Sequence, residues 1–131
     1  MEKYGFLIDE AKKASESSYS PYSNFSVGAA LLCADGSVYT GCNIENASYS
    51  PTCCAERVAI FKAVSEGKRA FKAIAVFGKG KDAEPELCYP CGVCRQVLAE
   101  FCGEELDIVL YDPKRIISVK LGELLPNAFK L

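Results

Sequence analysis

Two short cysteine segments, Cys53-Cys54-Ala55-Glu56-Arg57 and Pro90-Cys91-Gly92-Val93-Cys94, constrain this chain more than anything else in it. Cys91-x-x-Cys94 presents two thiolates at one spot, and Cys54 offers a third. A fold that uses all three must bring segments distant in sequence to a single point. Zinc takes thiolate sulfur readily, and three protein ligands leave a fourth position for water. A carboxylate beside that position, Glu56, can move protons. Histidine is absent. Ligands must therefore come from Cys, Asp or Glu, and histidine-based triads are excluded.

The 131 residues, half of them hydrophobic, suffice for one cored domain over residues 1–131. The net charge is -2 and no long basic run occurs, so nucleic-acid binding by phosphate neutralisation is disfavoured. A small or neutral substrate fits better. The cysteines are Cys33, Cys42, Cys53, Cys54, Cys88, Cys91, Cys94 and Cys102. An even count is compatible with a disulfide framework. Against this, the start of the sequence has no basic region followed by an apolar run. No stretch approaches the roughly 18 apolar residues of a membrane span. We therefore expect a cytoplasmic protein with reduced thiols, some of them metal-bound.

Apolar spacing predicts a helix over residues 2–17, carrying Tyr4, Leu7, Ile8, Ala11 and Ala14. Strands follow at 25–33 and 38–44, joined by the turn Ala34-Asp35-Gly36-Ser37. A helix runs over 54–66, a strand over 71–77, and a charged loop over 78–86. Pro90-Cys91 opens another helix that stops near Gly103. Strands at 107–111 and 116–119 and a helical turn at 121–125 complete the chain. The order predicts an α/β domain, a mixed sheet of about five strands covered by helices.

All three thiols fall at predicted helix starts, where free N–H groups and the helix dipole stabilise thiolates. The pattern carries a geometric condition. Residues i and i+2 do not face each other on a regular helix. Cys54 must therefore sit at or before the first turn if it is to share a metal with Glu56. Three thiolates plus hydroxide outweigh the two charges of zinc and weaken its Lewis acidity. Arg57 is the residue placed to draw charge off the sulfurs. Two rival readings follow from the same residues. A fourth thiolate, Cys53 or Cys88, would close the site as a structural zinc module. Cys91-x-x-Cys94 alone would serve a thiol–disulfide enzyme.

The longer motifs narrow the choice. Pro21-Tyr22-Ser23-Asn24-Phe25-Ser26-Val27-Gly28-Ala29-Ala30-Leu31, Gly41-Cys42-Asn43-Ile44-Glu45-Asn46-Ala47-Ser48-Tyr49, Cys54-Ala55-Glu56-Arg57 and Pro90-Cys91-Gly92-Val93-Cys94-Arg95-Gln96 resemble the short cytidine deaminases of free nucleosides. The resemblance implies a three-layer α/β/α fold and one Zn²⁺ per subunit held by Cys54, Cys91 and Cys94. It implies that Glu56 shuttles protons. Phe25 would pack on the pyrimidine, Asn43 and Glu45 would hold the ribose, and Ala55 would bond the base through its backbone. Tyr49 and Phe129 would complete sites across the interfaces of a homotetramer. A deaminase of cytosine-type nucleoside antibiotics is the neighbouring alternative.

Overall fold

The computed structural model describes residues 2–131. After a 3-10 turn at Glu2–Tyr4, the elements are α1 (Gly5–Ser15), β1 (Phe25–Cys33), β2 (Val38–Cys42), α2 (Ala55–Ser65) and β3 (Phe71–Gly80). They continue with β4 (Pro85–Glu86), α3 (Gly92–Phe101), β5 (Asp107–Asp112), β6 (Arg115–Lys120) and α4 (Leu121–Leu124). Five strands lie in the order β2-β1-β3-β5-β6, with β4 paired to β3 as a sixth. Only β3 and β5 run parallel, because the crossover through α3 returns the chain in the same direction. The expected mixed α/β sheet is present.

Alternation along the strands makes the layers. Ala30, Ala73, Ala75, Phe77 and Val109 meet Leu7, Ile8 and Ala11 of α1. Ala29, Leu31, Ile74, Val76, Ile108 and Leu110 point the other way, into a core with Ala59 and Ile60 of α2 and Leu98 of α3. The sheet is thus sandwiched, with α1 on one face and α2 and α3 side by side on the other. That shared face is what brings the two cysteine segments together.

β3 runs to Gly80, beyond the expected 71–77, and β4 lies in what the sequence presents as a loop. Gly78-Lys79-Gly80-Lys81 has no apolar alternation to announce a strand. Its backbone is paired instead by Phe25, Ser26 and Val27 of β1 and by β4.

Close helix–sheet contact depends on Gly28 in β1. A Cβ there would stand 1.9 Å from the Ala11 carbonyl oxygen and 2.5 Å from the Ser15 nitrogen. Both are backbone atoms of α1, so no side-chain rotation relieves the clash. Gly28→Ala is expected to destabilise the fold by about 3 kcal/mol, the upper end of ordinary overpacking. Urea unfolding, read as a lowered midpoint with unchanged slope, measures it.

Candidate active site

Cys54 is the N-cap of α2, with extended backbone at φ -73° and ψ 155°. It stands just outside the helix, which meets the geometric condition for sharing a site with Glu56 in the first turn. Cys91 is likewise the N-cap of α3, and its sulfur accepts the Cys94 N–H at 3.4 Å. The sulfurs of Cys54, Cys91 and Cys94 all lie within 4.8 Å of one another. Zn–S bonds of about 2.3 Å in tetrahedral geometry separate two sulfurs by about 3.8 Å. Cys54 Sγ and Cys91 Sγ are 3.8 Å apart. The residues fit zinc in donor type, number and spacing. Neither Cys53 nor Cys88 belongs to the cluster found among the described residues, so the closed four-thiolate site does not form. The Cys53 backbone is held in a two-bond bridge with Ile44.

Electrostatics single out the same group. A hydrogen bond from the Cys94 thiol, aided by Arg57 and opposed by burial, brings the Cys54 thiol down to about 5. Cys94 is raised in turn by that bond and by its own burial. Arg57 Nη2 donates to Cys54 Sγ at 3.3 Å, and Arg57 joins no ion pair with a carboxylate among the described residues. Its guanidinium is directed at sulfur. Glu56 is 3% exposed. Burial, reinforced by the nearby Cys54 charge, pushes its carboxyl up to about 7. Burial also raises the unligated Cys88 thiol to about 12, which keeps it protonated and inert.

Cys54, Cys91 and Glu56 open onto a cavity of about 280 Å³, close to the lower end of small-molecule sites at about 300 Å³. Phe25, Asn43, Glu45, Ala55 and Glu56 line it together with Cys54 and Cys91. Cavities of about 430 and 610 Å³ lie elsewhere on the surface, but no cysteine lines either one. Asn43 is nearly fully engaged by the protein. Its Oδ1 accepts from the Val27 N–H at 3.0 Å and from the Ser18 hydroxyl, and its Nδ2 donates to Phe25 O at 2.9 Å. One N–H remains for a ligand. Glu45 accepts from the Tyr22 and Ser23 N–H groups at 2.9 and 3.1 Å and from the Ser23 hydroxyl. Those bonds, led by the Ser23 hydroxyl, hold its carboxyl below the usual range. It is fixed as an anion at the cavity wall.

Tyr49 and Phe129 are not brought to this cavity. They stand 73% and 69% exposed, Tyr49 edge-on to Tyr22 with ring centroids 6.4 Å apart. Conversely, Val27, Thr52, Cys53, Cys88 and Tyr89 line the cavity without having been singled out for it. For Cys88 and Tyr89 a signal existed, since they directly precede Pro90-Cys91 and must accompany that ligand.

Removing Arg57 should lower zinc affinity or turnover by about 10- to 100-fold, the usual effect of losing a partner that orients a metal ligand. Arg57→Ala with unchanged zinc affinity and unchanged turnover rules this role out.

Three thiols at two adjoining helix mouths, with a buried carboxyl in the first turn of one, define a zinc-binding α/β protein. The chain belongs to the family described as the cytidine and deoxycytidylate deaminase zinc-binding region, whose family model matches residues 1–110. A cytidine deaminase of Sporosarcina psychrophila is 55% identical over 124 residues, covering 94% of this chain and 88% of the relative. The crystal structure of a cytidine deaminase from Burkholderia pseudomallei superposes with a TM-score of 0.86 at 47% identity, covering 95% of this chain and 97% of that one. That of Mycobacterium tuberculosis gives 0.83 at 44% identity, covering 98% of each chain.

Proposed function

We propose that this chain hydrolyses the ring amine of cytidine and 2′-deoxycytidine, releasing uridine or 2′-deoxyuridine and ammonia in pyrimidine salvage. One observation carries the reading: the Cys54, Cys91 and Cys94 sulfurs form one cluster, and two of those cysteines, Cys54 and Cys91, line a cavity of nucleoside scale together with the buried Glu56. The names of the relatives support the substrate class.

A zinc ion held by the three thiolates supplies the Lewis acidity that makes water nucleophilic near neutral pH. Glu56 takes a proton from the attacking water. It delivers that proton to N3 of the ring, then takes the second proton from the hydroxyl now on C4 and gives it to the departing amine, while the water oxygen becomes the new carbonyl. A carboxyl held near neutrality by burial suits both directions of transfer. Arg57 offsets the negative charge of the sulfurs. Phe25 packs against the pyrimidine face, the Ala55 backbone bonds the base, and Asn43 and Glu45 hold the ribose 3′-hydroxyl. Tyr49 and Phe129, exposed in the single chain, reach neighbouring sites in a cytoplasmic homotetramer of single-domain subunits spanning 1–131, which sedimentation tests. No helix among the described residues is long and apolar enough to cross a membrane. The substrate is a free nucleoside rather than nucleic acid.

Loss of ultraviolet absorbance on adding cytidine, with matching ammonia release, is the direct test. Cytosine lacks the sugar that Asn43 and Glu45 are placed to hold. Its kcat/KM should fall about 10⁴-fold below that of cytidine, as when a site loses the hydroxyl it is built to bond. Inert cytidine beside a rapidly consumed cytosine-type antibiotic would replace this reading with the alternative substrate.

A further inference from the structure

Two consecutive residues of α3, directly after the ligand Cys94, reach the C-terminal segment. Arg95 Nε donates to the Pro90 carbonyl at 2.7 Å, and Arg95 Nη1 donates to the Leu124 carbonyl at 2.8 Å. Gln96 Nε2 donates to the Phe129 carbonyl at 3.0 Å. Pro90 is among the fully buried residues and immediately precedes Cys91. A buried carbonyl needs a partner, and Arg95 provides it. Leu124 ends α4, where the last carbonyls have no partner within the helix. One planar guanidinium therefore spans the turn that carries Cys91 and the last turn of α4. Arg95 is half-buried and joins no ion pair among the described residues. The contact uses the forked shape of its donors, not a charge partner.

We propose that Arg95 is a positioning residue that ties the C-terminal segment to the thiolate turn, so that docking of residues 124–129 and retention of zinc are coupled. Gln96 is the second tie of the same strap. The segment also has apolar anchors of its own, because Leu124, Leu125 and Ala128 pack against the core. Loss of the polar ties therefore loosens the turn without dismantling the fold.

The test uses full-length zinc-loaded protein and two readouts independent of turnover: zinc release to a colorimetric chelator, and hydrogen exchange over residues 121–131. Arg95→Ala should release zinc about 10-fold faster, as loss of a group supporting a metal ligand does, and should raise exchange in the segment. Gln96→Ala should shift both readouts the same way by less. Arg95→Lys keeps the charge but not the fork, and should resemble Arg95→Ala. Wild-type zinc release from Arg95→Lys overturns the fork. A loosened segment with unchanged zinc release in Arg95→Ala overturns the coupling. Should Arg95→Ala fail to fold, Gln96→Ala and Arg95→Lys decide the matter with the same two readouts.

Discussion

Glu56→Gln is expected to lower kcat by about 10²- to 10⁴-fold, the usual contribution of a positioned acid–base group, with zinc still bound. The amide has nearly the shape of the carboxyl, so packing in the first turn of α2 survives. What disappears is the ability to move the two protons of the attacking water, one to N3 and the other to the amine. Steady-state kinetics on cytidine and a zinc assay on the same sample measure both halves of the statement. A variant that keeps most of its turnover, with zinc in place, would remove Glu56 from the chemistry.

Cys54→Ser should instead remove the metal. A four-ligand protein zinc site is worth about 10–16 kcal/mol at neutral pH, so one thiolate carries roughly 3 kcal/mol. That corresponds to about a hundred-fold in affinity. The Cys54 thiol is also the acceptor that Arg57 and Cys94 stabilise, so a serine hydroxyl forfeits that charge pairing as well. Zinc content after dialysis and chelator competition should both fall, and turnover with them. Cys53→Ser is the matched control: the Cys53 thiol lies outside the sulfur cluster, and zinc should stay. Equal zinc loss in both variants would mean that the ligand register is wrong.

Much of the fold was legible because the residues speak locally. The 3.6-residue spacing of Leu7, Ile8 and Ala11 announced α1, and the hairpin at Asp35-Gly36 announced the β1–β2 pair. Burial in the structure follows those same positions. The strand at Pro85–Glu86 and the end of β3 were not legible, since their order comes from partners elsewhere in the chain and not from their own polar side chains. The site divides in the same way. Cys54, Glu56, Cys91 and Cys94 are visible as spacing. The places of Val27 and Thr52 in the cavity wall, the bonds that immobilise Asn43 and Glu45, and the reach of Arg95 to Leu124 are not.

The sequence by itself determined the donor set: three thiols, one acid, one arginine and no histidine, grouped where helices begin. That much follows from short-range chemistry, because ligand type and helix-start residues are properties of neighbouring positions. Only the tertiary structure decided that α2 and α3 lie on one face of the sheet with their first turns together, placing the Cys54 and Cys91 sulfurs 3.8 Å apart. Such convergence depends on which face each strand buries and on how the chain crosses over, which are relations between residues far apart in the chain.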